Sequence, residues 1–250
     1  MLSDEELDRY ARQIVLKEIG GAGQARLKAA SVAVVGAGGI GAPVIQYLAG
    51  AGIGRLLIID DDRVEASNLQ RQTLFTTADR GRAKAVAAAQ AAQRLNPFLT
   101  AEARQARLDE ANAPTLLADA DVVVDGCDNF ATRLAVADVA LALRIPLVSA
   151  AVGQFEGQLA VYRGWEADKP CYRCFVGDAP DRADASCADE GVLGPVTGVA
   201  GSMAALEAIR ALAPFGDDPA GRVLLIDLLD WRFRAIGLPK DPGCRCTSLR

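Results

Sequence analysis

The sequence predicts an α/β fold built on a doubly wound mixed sheet, parallel in its N-terminal part and antiparallel in its C-terminal strands. Two observations carry that expectation. From Ser31 to Asp62 the chain reads strand, glycine turn, helix, strand, which is a βαβ unit. Beyond about residue 153 the continuous apolar runs give way to segments such as Trp231 to Ala235, where apolar residues alternate with Arg232 and Arg234. Alternation of that kind marks half-exposed, antiparallel strands.

In order along the chain, residues 3–30 read as one or two polar helices. Ser31 to Val35 is a buried-type strand that runs into a glycine turn, and a helix through Tyr47 and Leu48 is closed by Gly50 to Gly54. Leu56 to Ile59 is the next strand, ended by Asp60, Asp61 and Asp62. Residues 79–95 are alanine-rich and helical up to Asn96-Pro97. Asp121 to Asp125 and Pro146 to Ala150 read as strands on either side of a helix at 130–143. Strands at Gly157 to Arg163 and within Arg222 to Arg234 flank a polar, Asp-rich loop from Gly177 to Glu190 and a small-residue helix at 198–213. The expected organisation is a single domain over 1–250, with a nucleotide-binding half (1–152) and a second half (153–250).

Bulk composition narrows the function. At 250 residues with net charge −5, the chain lacks the basic surplus of a nucleic-acid binder. No apolar run approaches a bilayer span, the N-terminus does not read as a signal peptide, and a cytoplasmic location is expected. Histidine is absent altogether, which excludes Ser-His-Asp or Cys-His catalysis and His-ligated metals. The remaining Lys, Arg, Asp, Asn, Cys and backbone amides suit phosphoryl or nucleotidyl transfer, where catalysis is mostly positioning and charge neutralisation.

Gly36, Gly38 and Gly41, with Gly39 between them, match the G-x-G-x-x-G fingerprint between a strand and a helix, so the sheet is expected to be Rossmann-like. Such glycines let backbone amides approach phosphate oxygens at a helix N-terminus. Asp60 stands about 20 residues further on, where an acid accepts ribose hydroxyls. This loop identifies a nucleotide rather than a reaction, and alone it favours a nicotinamide-dependent oxidoreductase; a tight turn that binds nothing is the other alternative. The run Ser67-Asn68-Leu69-Gln70-Arg71-Gln72, followed by Lys84, departs from that pattern. An Arg and a Lys here neutralise a triphosphate, more charge than a nicotinamide pyrophosphate requires, although Lys84 alone also fits a solvated helix face.

Asp128, with Asn129, follows the strand ending at Asp125. It can hold Mg²⁺ against phosphate oxygens, or either residue can cap the next helix. Cys171, Cys174, Cys244 and Cys246 form a CxxC and a CxC pair, a set suited to a closed structural Zn²⁺ site, with redox use of Cys171 and Cys174 as the rival. Cys187 stands apart in the Asp-rich loop. It is either a nucleophile that carries a persulfide or thioester or an incidental thiol whose pKa the nearby acids raise.

Together, Arg9 to Ile14, the glycine loop, Ser67 to Gln72, Lys84, Asp128-Asn129 and Cys171-Tyr-Arg-Cys174 resemble the MoeB/ThiF/HesA family, bacterial relatives of ubiquitin-activating enzymes, over essentially the whole chain. The resemblance implies an adenylyltransferase that uses ATP and Mg²⁺ to adenylate the C-terminal glycine of a small ubiquitin-like sulfur carrier ending in Gly-Gly. The carrier would be MoaD-like for molybdopterin or ThiS-like for thiamine, with the second half of the chain binding it. It implies Asp60 at the ribose with Asp62 and Gln72 beside the nucleotide, Asn68, Arg71 and Lys84 at the phosphates, and Asp128 on Mg²⁺. It also implies a homodimer in which Arg12 serves the neighbouring subunit's phosphates, and it places Cys187 at a loop cysteine whose catalytic use varies. The CxC pair departs from the family's usual CxxC. No rhodanese-like domain follows, so the sulfur donor is expected to be a separate sulfurtransferase. A non-catalytic nucleotide-binding scaffold is the remaining alternative.

Overall fold

A computed structural model describes residues 2–177 and 191–248, the last of them by its backbone. The helices are α1 (Asp4–Ile14), α2 (Gly20–Ala29), α3 (Gly41–Ala51), α4 (Lys84–Leu95), α5 (Ala113–Leu117), α6 (Phe130–Ala142), α7 (Tyr172–Val176) and α8 (Gly194–Leu212). The strands are β1 (Ser31–Val35), β2 (Arg55–Ile59), β3 (Thr100–Arg104), β4 (Val122–Asp125), β5 (Leu147–Gly153), β6 (Glu156–Tyr162), β7 (Arg222–Asp227) and β8 (Arg232–Gly237). They form one eight-stranded sheet in the order β3-β2-β1-β4-β5-β6-β7-β8. Pairing is parallel from β3 to β5 and antiparallel from β5 to β8.

The strand period of two sorts side chains into two layers. Val32 and Val34, Leu56 and Ile58, and Val122 and Val124 point to one face, under α3, α4 and α8. Ala33 and Val35, Leu57 and Ile59, and Val123 point to the other, under α5, α6 and α7. Both faces are therefore covered, which is why these strands read as unbroken apolar runs rather than alternating ones. Helix α8 sits against α3 at close range because it is made of small residues. A Cβ on Gly201 would fall 2.4 Å from the Ile40 carbonyl oxygen.

Some sequence expectations need correction. Helix α4 starts at Lys84, not at residue 79. Asp79 instead closes a short 3-10 turn, accepting from the Thr76 backbone N–H at 2.9 Å, and Val64 N–H donates to the Arg82 carbonyl. Helix α8 begins at Gly194, earlier than expected. Strand β8 was expected to be half-exposed, yet every residue of it is exposed, because it is the last strand of the sheet. Trp231 is not part of a strand; it takes a left-handed φ of 59° in the β7–β8 turn. Among the described residues, no helix is long and apolar enough to cross a membrane.

Candidate nucleotide site and cysteine cluster

Strand β1 pairs with β2 on one side and β4 on the other, and the chain leaves their carboxyl ends in opposite directions. Ligands bind α/β sheets at such a switch point. Here it opens into a cleft of about 260 Å³ lined by Gly36, Gly38, Gly39, Asp60, Asp62, Asn68, Arg71, Gln72, Lys84 and Asp128. The floor is the glycine turn. Gly36 has a φ of 89°, and a Cβ on Gly41 would lie 1.9 Å from the Gly36 carbonyl oxygen. Gly41→Ala must therefore push the turn apart. We expect it to destabilise the protein by about 2–3 kcal/mol, read as a lower urea midpoint with an unchanged slope.

Asp60 spans the turn: its carboxylate accepts from Ala37 N–H and from Asp62 N–H, each at 2.8 Å. Burial pushes the carboxyl above the usual carboxylate range, opposed by nearby Lys84 and by these two donors. Lys84 is buried, and its Nζ lies 2.8 Å from a carboxylate oxygen of exposed Asp62. The Asn68 run folds as a tight turn, with Asn68 Oδ1 accepting from Glu65 N–H at 3.2 Å and the Asn68 carbonyl accepting from Arg71 and Gln72 N–H. That turn aims Arg71 into the cleft, steadied by one bond to the Ser67 carbonyl at 3.1 Å. Gln72 is only 3% exposed, and its Oε1 has no hydrogen-bond partner. A buried polar atom left unpaired is costly, and among the described residues nothing pairs with this one.

On the β4 side, Asn129 caps α6 by accepting from Thr132 N–H at 2.8 Å. The capping role thus falls to Asn129, while Asp128 is exposed at the cleft wall. Arg12 is on the exposed face of α1 and does not line the cleft of its own chain. Cys187 lies outside the described residues. Arg107 and Thr197 also line the cleft but carry no motif; Arg107 follows β3, a strand whose polar sequence did not announce it.

The four paired cysteines converge. Their sulfurs all lie within 4.8 Å of one another, with Cys171 Sγ 3.8 Å from Cys174 Sγ and 3.5 Å from Cys244 Sγ, and Cys174 Sγ 3.5 Å from Cys246 Sγ. Tetrahedral Zn–S bonds of about 2.3 Å imply S···S separations of about 3.8 Å, so the donor set and spacing fit zinc. The CxC pair loses no ligand to its shorter spacing. Cys244 N–H donates to the Asp241 carbonyl and Thr247 N–H to the Cys244 carbonyl, a turn that brings Cys244 and Cys246 to the same side.

Comparison with known proteins agrees with this architecture. The chain is 48% identical over 244 residues to the sulfur carrier protein adenylyltransferase of Thermus thermophilus, covering 96% of this chain and 90% of that one. It is 44% identical over 244 residues to the SAMP-activating enzyme E1 of Haloferax volcanii, covering 97% and 89% respectively. The crystal structure of E. coli MccB with MccA-N7isoASN superimposes with a TM-score of 0.85 at 22% identity, over 98% of this chain and 75% of that chain, a likeness of fold. With the ThiF family profile matching residues 10–246, the chain belongs to the ThiF family.

Proposed function

We infer that this protein is an ATP-dependent adenylyltransferase acting on the C-terminal glycine of a ubiquitin-like sulfur carrier. The observation that carries this reading is the cleft itself, where Asn68, Arg71, Lys84 and Asp128 meet the glycine turn. Three cations at one cleft, Arg71, Lys84 and Arg107, match a triphosphate better than a nicotinamide dinucleotide. The names of the relatives at 44% and 48% identity point the same way.

In this reading Asp60 takes the ribose hydroxyls, with Asp62 and Gln72 beside the nucleotide. Asn68, Arg71 and Lys84 bind the phosphates, Lys84 being held ready by Asp62. Asp128 is the carboxylate that would hold Mg²⁺, which when bound neutralises charge on the phosphate oxygens. The carrier's terminal carboxylate attacks the α-phosphorus. A carboxyl O–P bond forms, the α–β bridging P–O bond breaks, and pyrophosphate leaves with the electron pair. Sulfur at the sulfide level, delivered by a separate sulfurtransferase, then attacks the acyl carbon; a C–S bond forms, the C–O bond to AMP breaks, and a thiocarboxylate and AMP result. Arg12 would reach the phosphates of a second copy in a homodimer, and Cys187 is the candidate thiol nucleophile. The Cys171–Cys246 cluster holds zinc, and four reduced thiols fit a cytoplasmic location.

A second hollow, of about 380 Å³, runs over β5, β6 and β7 between Gly153, Glu156, Asp227 and Arg234. Val152 lines both hollows, so a carrier tail laid in this one leads to the nucleotide. ATP–pyrophosphate exchange, measured with MoaD-like and ThiS-like carriers side by side, tests the reading. Exchange is expected with one carrier and not without it, and removing the carrier's last glycine should abolish it. Carrier-independent exchange, or NADH binding with no response to ATP, would overturn it.

A further inference from the structure

Arg133 belongs to no motif, yet it is among the most deliberately held side chains in the protein. It sits on α6, 8% exposed. Its guanidinium donates to Asp125 Oδ2 and to Ser149 Oγ, each at 3.3 Å, to the Ala150 carbonyl at 2.8 Å, and to the Cys127 carbonyl. One side chain thus joins the end of β4, the turn after it and β5. An apolar residue could fill the same volume without the desolvation of a buried ion pair. A planar fork is needed only where several acceptors must be held in fixed relation.

What is held is the turn that carries Asp128. The Cys127 carbonyl directly precedes that residue, and Asp125 Oδ1 grips the same turn by accepting from Cys127 N–H at 3.1 Å and Cys127 Sγ at 2.7 Å. Tyr172 lies between Cys171 and Cys174. Its ring packs edge-on against Tyr162 at 5.5 Å and at a 40° tilt against Phe130 at 6.3 Å, and Phe130 follows Asn129 in sequence. We propose that Arg133 is a positioning residue that fixes the Cys127–Asn129 turn so that exposed Asp128 presents its carboxylate correctly to Mg²⁺ and nucleotide. This rests on the proposed role of Asp128.

The test is the Mg²⁺ dependence of binding of a non-hydrolysable ATP analogue to the full chain, followed by titration calorimetry. Arg133→Lys keeps the charge but loses the fork, and should raise the half-saturating Mg²⁺ concentration about tenfold or more. Ser149→Ala removes one acceptor of the fork and a donor to Asp125; it should shift the same quantity in the same direction by a smaller factor, with zinc content unchanged. Metal-free AMP binding should not change in either. Asp138→Asn is the control. It removes the charge and one of the two acceptor oxygens of the Arg173 fork, two bonds of 2.7 Å that tie α7 to α6, without touching the Asp128 turn, and should leave the Mg²⁺ dependence alone. An unshifted Mg²⁺ dependence in Ser149→Ala, or an equal shift in all three variants, overturns the proposal while leaving the adenylation reading standing; if Arg133→Lys does not fold, Ser149→Ala decides. Analogue binding by the unchanged chain with no Mg²⁺ dependence at all overturns both the proposal and the role of Asp128.

Discussion

Asp128→Ala is expected to lower carrier-dependent ATP–pyrophosphate exchange by at least about a hundredfold, and Arg71→Ala by about a hundred- to a thousandfold. Both should leave the melting temperature within a few degrees. The expectation follows from where each side chain stands. Asp128 is exposed at the cleft wall, and helix α6 is capped by Asn129 rather than by it, so its loss removes charge from the cleft without uncapping a helix. Arg71 is steadied by a single bond to the Ser67 carbonyl, and its guanidinium has no buried carboxylate to strand when it is removed. Lys84 contrasts with both. It is buried against Asp62, so Lys84→Ala should reduce exchange and also destabilise the fold. Charge developing on pyrophosphate as it leaves is met only by groups already in place, so the loss should fall on kcat more than on the KM for ATP. Exchange within about twofold of the unchanged chain for both Asp128→Ala and Arg71→Ala would remove these residues from the proposed mechanism.

The parallel half of the sheet was legible because burial on both faces writes itself as continuous apolar sequence. Ser31 to Val35, Leu56 to Ile59 and Val122 to Asp125 are strands within a residue of where periodicity places them. Strand β3 was not legible: Thr100-Ala-Glu-Ala-Arg104 is an edge strand with no large apolar residue, held by its pairing to β2. Missing it hid Arg107, which follows it into the cleft. The start of α4 was misplaced because helix propensity among alanines does not see the Thr76–Asp79 turn, a side-chain bond that competes with the helix. Asn68, Arg71, Lys84 and Asp128 were found through motif and chemistry together. The bracing by Arg133 had no sequence signal at all. It joins residues on separate elements through bonds whose partners, two main-chain carbonyls among them, carry no side-chain signature.

Removing zinc should release the C-terminal segment without unfolding the sheet. Cys171, Cys244 and Cys246 form a small buried cluster with Leu141, against which Trp165 and Cys174 pack, separate from the two layers that cover the sheet. So few apolar contacts cannot hold the last residues by themselves, whereas a structural zinc contributes about 10 kcal/mol or more where it organises a short segment. Lys240 adds only two bonds, to the Gly164 and Glu166 carbonyls at 2.7 and 2.8 Å. The purified protein is expected to hold about one zinc per chain. After chelation, hydrogen exchange should show residues 241–247 and α7 losing protection by about a hundredfold or more while β1, β2 and β4 keep theirs, since local opening need not reach the global unfolding free energy. Cys246→Ser should reproduce a weaker form of the same pattern. Full zinc content with protection of 241–247 unchanged by chelation would show that packing, not metal, holds the tail.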